Sequence, residues 1–444
     1  MLVNTRKLIL SLIVLSGWNV AQAQEAWTLK QCIDTAQVHN KTLQINRNNI
    51  SISEQRKKEA QANLIPKVTA NADYKYFMEL PTQLMPMNAL NPQAPEGQFR
   101  DLQFGVPHNI NANVQLAMPL YNPQIYRAIQ STQIAKELTE LQFQKSEEQV
   151  LFDITTLYYN AQIIVHQLAF LDSNIANTEK LLKNMQLLKN QLLAKGSDVS
   201  KVKLQAEQLN TQRQNVNNKL IQVLNALKLN MGISLEQNIT VVSEIQQEVS
   251  LESNTRNVLE LKIIQKQNQL LHSDLKTLNQ SRFLPSLNLI ASYGTTGFGY
   301  DKKPNDFLKF YPIGFAGIQL SYPLFNGTVT QRKINQKKLE INNNELQSKL
   351  ITEKNDMEVE NAIRQKTIAQ STITNTESQI ALAKTIYDQT VLQQKQGTAS
   401  LTDVLLADNA LREAQQNYLN AVIDFLKADL ELKKLTGSIT SIKN

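Results

Sequence analysis

Val114-Gln115-Leu116-Ala117-Met118-Pro119-Leu120-Tyr121-Asn122 returns 204 residues later as Ile318-Gln319-Leu320-Ser321-Tyr322-Pro323-Leu324-Phe325-Asn326. An upstream pair repeats too. Leu64-Ile65-Pro66-Lys67-Val68 is echoed by Phe283-Leu284-Pro285-Ser286-Leu287, and Tyr74 and Tyr293 follow at equal distances. The first pair is 204 residues apart and the second 219, so the first copy carries a loop 15 residues longer. A repeat of this size implies two structural copies related by pseudo-symmetry.

Within each copy the pattern reads helix, strand, loop, strand, long helix, turn, helix. Val68, Ala70, Ala72, Tyr74 and Tyr76 alternate with Thr69, Asn71, Asp73 and Lys75, a period of two that puts apolar and polar sets on opposite faces. Ile110, Ala112, Val114, Leu116 and Met118 alternate with Asn111, Asn113 and Gln115. Leu287, Leu289, Ala291 and Tyr293, then Ile318, Leu320 and Tyr322, repeat the theme. The spacing predicts strands at about 66–78, 109–119, 285–297 and 313–323. Pro66, Pro119, Pro285 and Pro323 mark the corners between strand and helix.

Short strands with one apolar face suit an outer-membrane barrel. They also suit a half-buried sheet in a soluble domain. Seventeen of the 25 Phe and Tyr residues fall within 68–126 or 283–325, as interfacial aromatic girdles require. Four strands cannot close a barrel, and open strand edges cannot face lipid, so the barrel has to be shared between subunits. The Pro-, Met-, Asn- and Gln-rich segment 80–108 is the longer first loop, expected outside the cell, with disorder, a plug or a surface epitope as its readings.

From Gln124 to Lys195 there is neither proline nor glycine, and these 72 residues would span about 108 Å as one helix. Ile154, Leu157, Ala161, Ile164, Leu168, Leu171, Ile175, Leu182, Met185 and Leu192 fall on one three-four alternation, broken by Thr178 and Lys189. Val404, Ala407, Leu411, Ala414, Tyr418, Ala421, Phe425, Ala428, Leu432 and Leu435 do the same in the last helix. A 3.5-residue period is a coiled-coil seam, and its alanines let helices approach closely.

The N-terminus points to export. Arg6 and Lys7 precede the apolar run Leu8–Leu15, and Ala21-Gln22-Ala23 is a small-x-small cleavage site, so residues 1–23 read as a signal peptide. No later run approaches the 18 apolar residues of a membrane helix. Cys32 is the only cysteine, which excludes an internal disulfide and a multi-cysteine metal site, and Leu29-Lys30-Gln31 before it is no lipobox. The net charge of +7 is spread among interspersed acids, which fits a solvated helical surface rather than a nucleic-acid site. His39, His108, His166 and His272 lack metal-ligand spacing, and no phosphate loop or nucleophile elbow is present. The reading is therefore not an enzyme, with no cofactor, no metal and no nucleic acid.

The order of elements resembles the TolC family of outer-membrane efflux and secretion channels. The resemblance is carried by the two Pro-led strand openings, the Pro119 and Pro323 corners and the run Gly397-Thr398-Ala399-Ser400-Leu401-Thr402-Asp403-Val404-Leu405-Leu406-Ala407. It implies a mixed α+β chain and a homotrimer in the outer membrane, with a 12-stranded shared barrel in outer-membrane lipid and a 12-helix coiled-coil tunnel across the periplasm. The repeats would be residues 24–230 and 258–437, with a linker or equatorial belt at 231–257 and a tail at 438–444. The implied function is the exit duct of a tripartite efflux or type I secretion system, with a periplasmic adaptor and an inner-membrane pump as partners. An exported coiled-coil scaffold or adaptor is the alternative.

By the same resemblance, the turns at Gly196 and Gly397 form the periplasmic tip and gate. Gly397 suits a left-handed turn, and Ser400 and Asp403 fit a capping box for the last helix. Asp403, repeated by threefold symmetry, would also form a ring of carboxylates. Asp198 holds the comparable place in the first copy, with capping as its simpler role. Where the family often has a second aspartate, this chain has Leu406.

Overall fold

The structure, a computed structural model, describes residues 26–90, 92–93, 95–245 and 259–439. The expected leader at 1–23, the belt residues 246–257 and the tail from 440 lie outside the described residues. In chain order the elements are α1 (Leu29–His39), α2 (Lys41–Ala62), β1 (Lys67–Tyr76), β2 (Thr82–Pro86), α3 (Met87–Leu90), β3 (Phe99–Gln103), β4 (His108–Tyr121), α4 (Pro123–Asn190) and α5 (Gly196–Met231). They continue with α6 (Leu259–Ser281), β5 (Ser286–Tyr300), β6 (Phe307–Ser321), α7 (Val329–Lys395) and α8 (Leu401–Leu435). The chain divides into two compact units, and each draws segments from both sequence repeats. No helix among the described residues is long and apolar enough to cross a membrane.

One unit comprises residues 49–140 and 264–347 and contains the sheet. β1, β4, β5 and β6 form one antiparallel sheet in that order, so the two repeats join through the β4–β5 pair and the edges are β1 and β6. Register carries the sequence alternation across the sheet. Val68, Leu116, Ala291 and Ala316 form one row, and Ala70, Val114, Tyr293 and Gly314 the next. On this apolar face the Tyr293 ring lies against Gly314 and the Phe310 ring against Gly297, where a Cβ would come within 2.7 and 2.6 Å of the ring. The aromatic rings cover backbone that glycine leaves bare. The intervening rows, such as Asp73, Asn111, Thr296 and Tyr311, make the second face. There Asn111 donates to Asp73 at 3.2 Å and Lys75 lies 3.5 Å from Asp73.

Several strand limits depart from expectation. β6 begins at Phe307, six residues before the expected 313, and β5 runs on to Tyr300. Pro119 is no corner: it lies inside β4 opposite Asn288, beside a register shift and beyond Ala117, where β1 pairing ends. The missing N–H of proline is tolerated there because no β1 partner remains. The helix instead starts with Pro123 at its first position, where a donor would be unused anyway. Pro66 and Pro285 immediately precede β1 and β5, so they are helix-to-strand corners, and Pro323 follows the end of β6. Part of the long loop is ordered as the β2–β3 hairpin, with Leu84 opposite Asp101.

The other unit, residues 1–48, 141–263 and 348–444 in extent, is mainly helical where described. The seams are buried along much of their length, that of α4 becoming exposed at Lys189 and Leu192. Ile154, Ala161, Leu171, Thr178 and Met185 are inside on α4, and Val404, Ala407, Leu411, Ala414, Ala421, Ala428 and Leu432 on α8. Thr178 is accommodated because its hydroxyl donates to the Asn174 carbonyl. α8 also buries a second stripe that the seam reading missed: Leu401, Asp408, Leu419, Val422, Leu426 and Lys433. Lys433 is matched by Asp429 at 3.0 Å, which Lys366 of α7 also meets at 2.8 Å.

α1 is set by the Thr28–Gln31 capping box and packs Cys32, Ile33 and Ala36 into a cluster with Ile154, Tyr158, Leu227, Ile239 and Ile439. Burial pushes the Cys32 thiol up to about 12, so it is an inert apolar filler. At the end of α5, Gly232 adopts φ +75°, and a Cβ there would sit 2.1 Å from the His39 carbonyl oxygen. Asn40 spans the same junction, donating to the Asn230 carbonyl at 2.6 Å.

Candidate functional site: the paired helix turns

α4 and α7 end in the same way. After α7, Gly397 has φ +77°, its N–H donates to the Gln394 carbonyl, and the Thr398 N–H donates to the Gln393 carbonyl at 2.9 Å. This is a Schellman motif. After α4, Leu192 has φ +63°, its N–H donates to the Lys189 carbonyl, and the Leu193 N–H donates to the Leu188 carbonyl at 2.8 Å. The structural counterpart of Gly397 is therefore Leu192, not Gly196. Gly196 is the first residue of α5 and has no left-handed backbone. The 205-residue offset also pairs Lys195 with Ser400 and Asp198 with Asp403.

The two helix starts differ in chemistry. Ser400 caps α8: its hydroxyl accepts from the Asp403 N–H at 3.2 Å, while Asp403 Oδ2 accepts from the Ser400 N–H at 2.8 Å and from its hydroxyl at 2.7 Å. These bonds, the hydroxyl's first, hold the Asp403 carboxyl below its ordinary value of 3.8. α5 begins at Lys195 with no side-chain cap, so Asp198 does not close a capping box; its carboxylate stands 3.8 Å from Lys201. Asp198 still favours the positive start of the helix.

Met185, Val202 and Leu401 are buried together, which brings the two turns into one packed end of the helical unit. Leu181, Leu188, Val199 and Leu405 pack against them. Leu406, in the place of a second carboxylate, is exposed. One turn further along α8, Asp408 is buried 3.2 Å from Arg412, a charge contact without a directed hydrogen bond. Arg412 also donates to the side-chain oxygen of Gln205 in the amide orientation that satisfies both groups. Burial pushes the Asp408 carboxyl up and Arg412 pulls it back. Burial, and then the Asp408 charge, push Tyr387 up to about 12. Sequence spacing gave no sign of this cluster, because Asp408 falls one residue off the seam.

A groove of about 210 Å³ beside Arg412 is crossed by amide pairs, Gln167 with Gln416 and Asn174 with Gln415, each at 2.9 Å. They lace helices together across the groove. Among the described residues no three His, Cys, Asp or Glu side chains gather as metal ligands.

A four-stranded sheet with one apolar face, joined in sequence to seam-packed helices, is a fold shared with solved outer-membrane channels. Residues 273–438 match the family described as outer membrane efflux protein. Outer membrane protein TolC of Salmonella enteritidis is 20% identical over 447 residues, covering 98% of this chain and 87% of that protein. The outer membrane protein VceC of Vibrio cholerae superposes with a TM-score of 0.70 at 15% identity, covering 92% of this chain and 96% of its own. The CmeC outer membrane channel of Campylobacter jejuni gives 0.73 at 14% identity, covering 92% and 85%. The match to the outer membrane efflux protein family is confined to residues 273–438, and the solved channels share the fold over most of the chain.

Proposed function

We propose that three copies of the chain form the duct of a tripartite export system, handing cargo received from an inner-membrane pump and a periplasmic adaptor to the outside. One observation carries this reading: the sheet has a continuous apolar face and two unpaired edges, β1 and β6. In lipid an unpaired edge leaves its outward-pointing backbone donors and acceptors unsatisfied, so the edges have to close on neighbouring copies. Three copies give twelve strands, an even number within the range of outer-membrane barrels. The helical unit, with its buried seams, supplies the periplasmic wall by coiled-coil packing.

The turns at Leu192 and Gly397 are the proposed periplasmic tip, meeting adaptor or pump and narrowing the entrance. Asp403 is both cap and gate charge: three exposed carboxylates around the axis repel one another and favour cations. An exported scaffold would need the helices but not a sheet with an apolar face. Reconstitution into planar bilayers separates the two, together with gel mobility before and after heating. A duct gives stepwise conductance and a heat-modifiable band; a scaffold gives neither.

A further inference from the structure

The second face of the sheet is not uniformly polar. On β1 and β4 it carries Thr69, Asn71, Asp73 and Lys75, with Asn109, Asn111, Asn113 and Gln115. The same rows continue on β6 as Phe315, Ile313, Tyr311 and Lys309. Tyr311, Ile313 and Phe315 are 52%, 59% and 58% exposed. Phe298 joins them from β5, its ring centre 6.1 Å from that of Tyr311. Tyr300 stacks on Phe307 at the end of the same face, with the Lys309 ammonium 5.8 Å from the Phe307 ring centre. An apolar ribbon thus runs from 307 to 315, about 27 Å of strand, along a face whose other half is amide and charge.

We infer that this ribbon is a binding track on the lumen wall of the exit barrel for solutes with an aromatic body and an anionic group. The inference rests on the duct reading above, which makes the apolar face the lipid face and turns the second face inward. Lipid does not cover the ribbon, because its rows also hold Asp73, Asn71 and Asn113. A second copy does not cover it either. Across the closed β6 edge would stand β1, whose inward side chains are Lys67, Thr69, Asn71, Asp73 and Lys75, none with a ring or branched apolar group to pack on Phe315 or Tyr311. A solvated apolar stripe of this length marks a contact surface.

The charge on that face sets the sign of the solute. Lys67, Lys75 and Lys309 face a single carboxylate, Asp73, which Lys75 already meets. Lys309 lies within the ribbon, so a flat ring can rest on Tyr311 and Phe315 while its carboxylate or sulfonate reaches the ammonium.

Thiol accessibility tests the site without requiring conduction. Cys32 is buried, so the full chain reconstituted in liposomes has a low background. Ile313→Cys and, on the opposite face, Phe310→Cys are labelled with a sulfonated, membrane-impermeant maleimide in the presence of 1-naphthoate or acetate. Thr296→Cys, paired with Tyr311 on the ribbon face, serves if Ile313→Cys does not assemble. The expected result is labelling of Ile313→Cys but not Phe310→Cys, slowed by 1-naphthoate and not by acetate. Adding Lys309→Gln should raise the naphthoate concentration needed by about tenfold, the loss of one charge-assisted contact. Labelling of Phe310→Cys in preference, or no protection, or equal protection by acetate, overturns the inference. Protection without bilayer conductance would remove the duct reading and leave the site; conductance without protection would remove the site and leave the duct.

Discussion

The two Schellman turns form a natural experiment, because one is closed by Gly397 and the other by Leu192. Both hold the left-handed region, with φ +77° against +63°. A left-handed residue with a Cβ costs about 1–2 kcal/mol, and replacing it with glycine gives back about 0.5–1 kcal/mol of that through the entropy of the unfolded chain. Leu192 is 93% exposed, so removing its side chain forfeits almost no burial. Leu192→Gly should therefore stabilise its turn by about 1 kcal/mol. Gly397→Ala is the mirror perturbation. Nothing lies within 4 Å of a Cβ placed there, so steric contact adds nothing and only the backbone term remains, destabilising by about 1 kcal/mol. Hydrogen exchange reads the result at the two amides that close the motifs, Leu193 and Thr398. Exchange at Leu193 should slow about fivefold in Leu192→Gly, and exchange at Thr398 should quicken by a similar factor in Gly397→Ala. Equal signs for the two variants, or no change in either, would refute the equivalence of the turns.

Three further outcomes follow from packing and charge. Ala421 and Ala428 are both 3% exposed, so Ala421→Phe or Ala428→Phe should cost about 1–3 kcal/mol per chain by overpacking, read as a lower midpoint of thermal dissociation; unchanged midpoints would place the stripe at the surface. Gly232→Ala drives a methyl to 2.1 Å from the His39 carbonyl oxygen and should cost more than about 2 kcal/mol, seen as increased proteolysis near Asn40; wild-type resistance would contradict the close approach. The Asp403 carboxyl is depressed by Ser400, so its contribution to the cap is complete above the unfolded value of 3.8 and is lost as pH falls through the folded value. Asp403→Asn should flatten that acid dependence in amide exchange at the start of α8 and, in bilayers, lower cation selectivity and block by multivalent cations. If selectivity and block match wild type, Asp403 is a cap alone.

Much of the fold was legible because two periods are written plainly in the chain. Alternation at Val68–Tyr76 and Ile110–Met118 marks β1 and β4, and the three-four spacing at Val404–Leu435 marks the α8 seam. The start of β6 was hidden because Phe307–Pro312 carries large apolar residues on both faces and a proline, which blurs the alternation and argues against a strand. The β2–β3 hairpin was hidden by its brevity and by Pro81 and Pro86 at its ends. The paired turns were matched wrongly, because a glycine search finds Gly196 and passes over Leu192, which holds the left-handed position without the usual residue. Asp408 and Lys433 belong to a second buried stripe on α8, and charged residues there read as solvent-facing until Arg412 and Asp429 are seen beside them.

In the proposed trimer the sheet is one third of a barrel, closed through the β1 and β6 edges. Native mass spectrometry of the chain extracted from outer membranes in mild detergent measures this directly. Three copies per particle are predicted, separating only as the β-sheet signal in circular dichroism is lost. A monodisperse single chain that keeps its full β-sheet content would show that β1 and β6 need no partner, and would contradict the account.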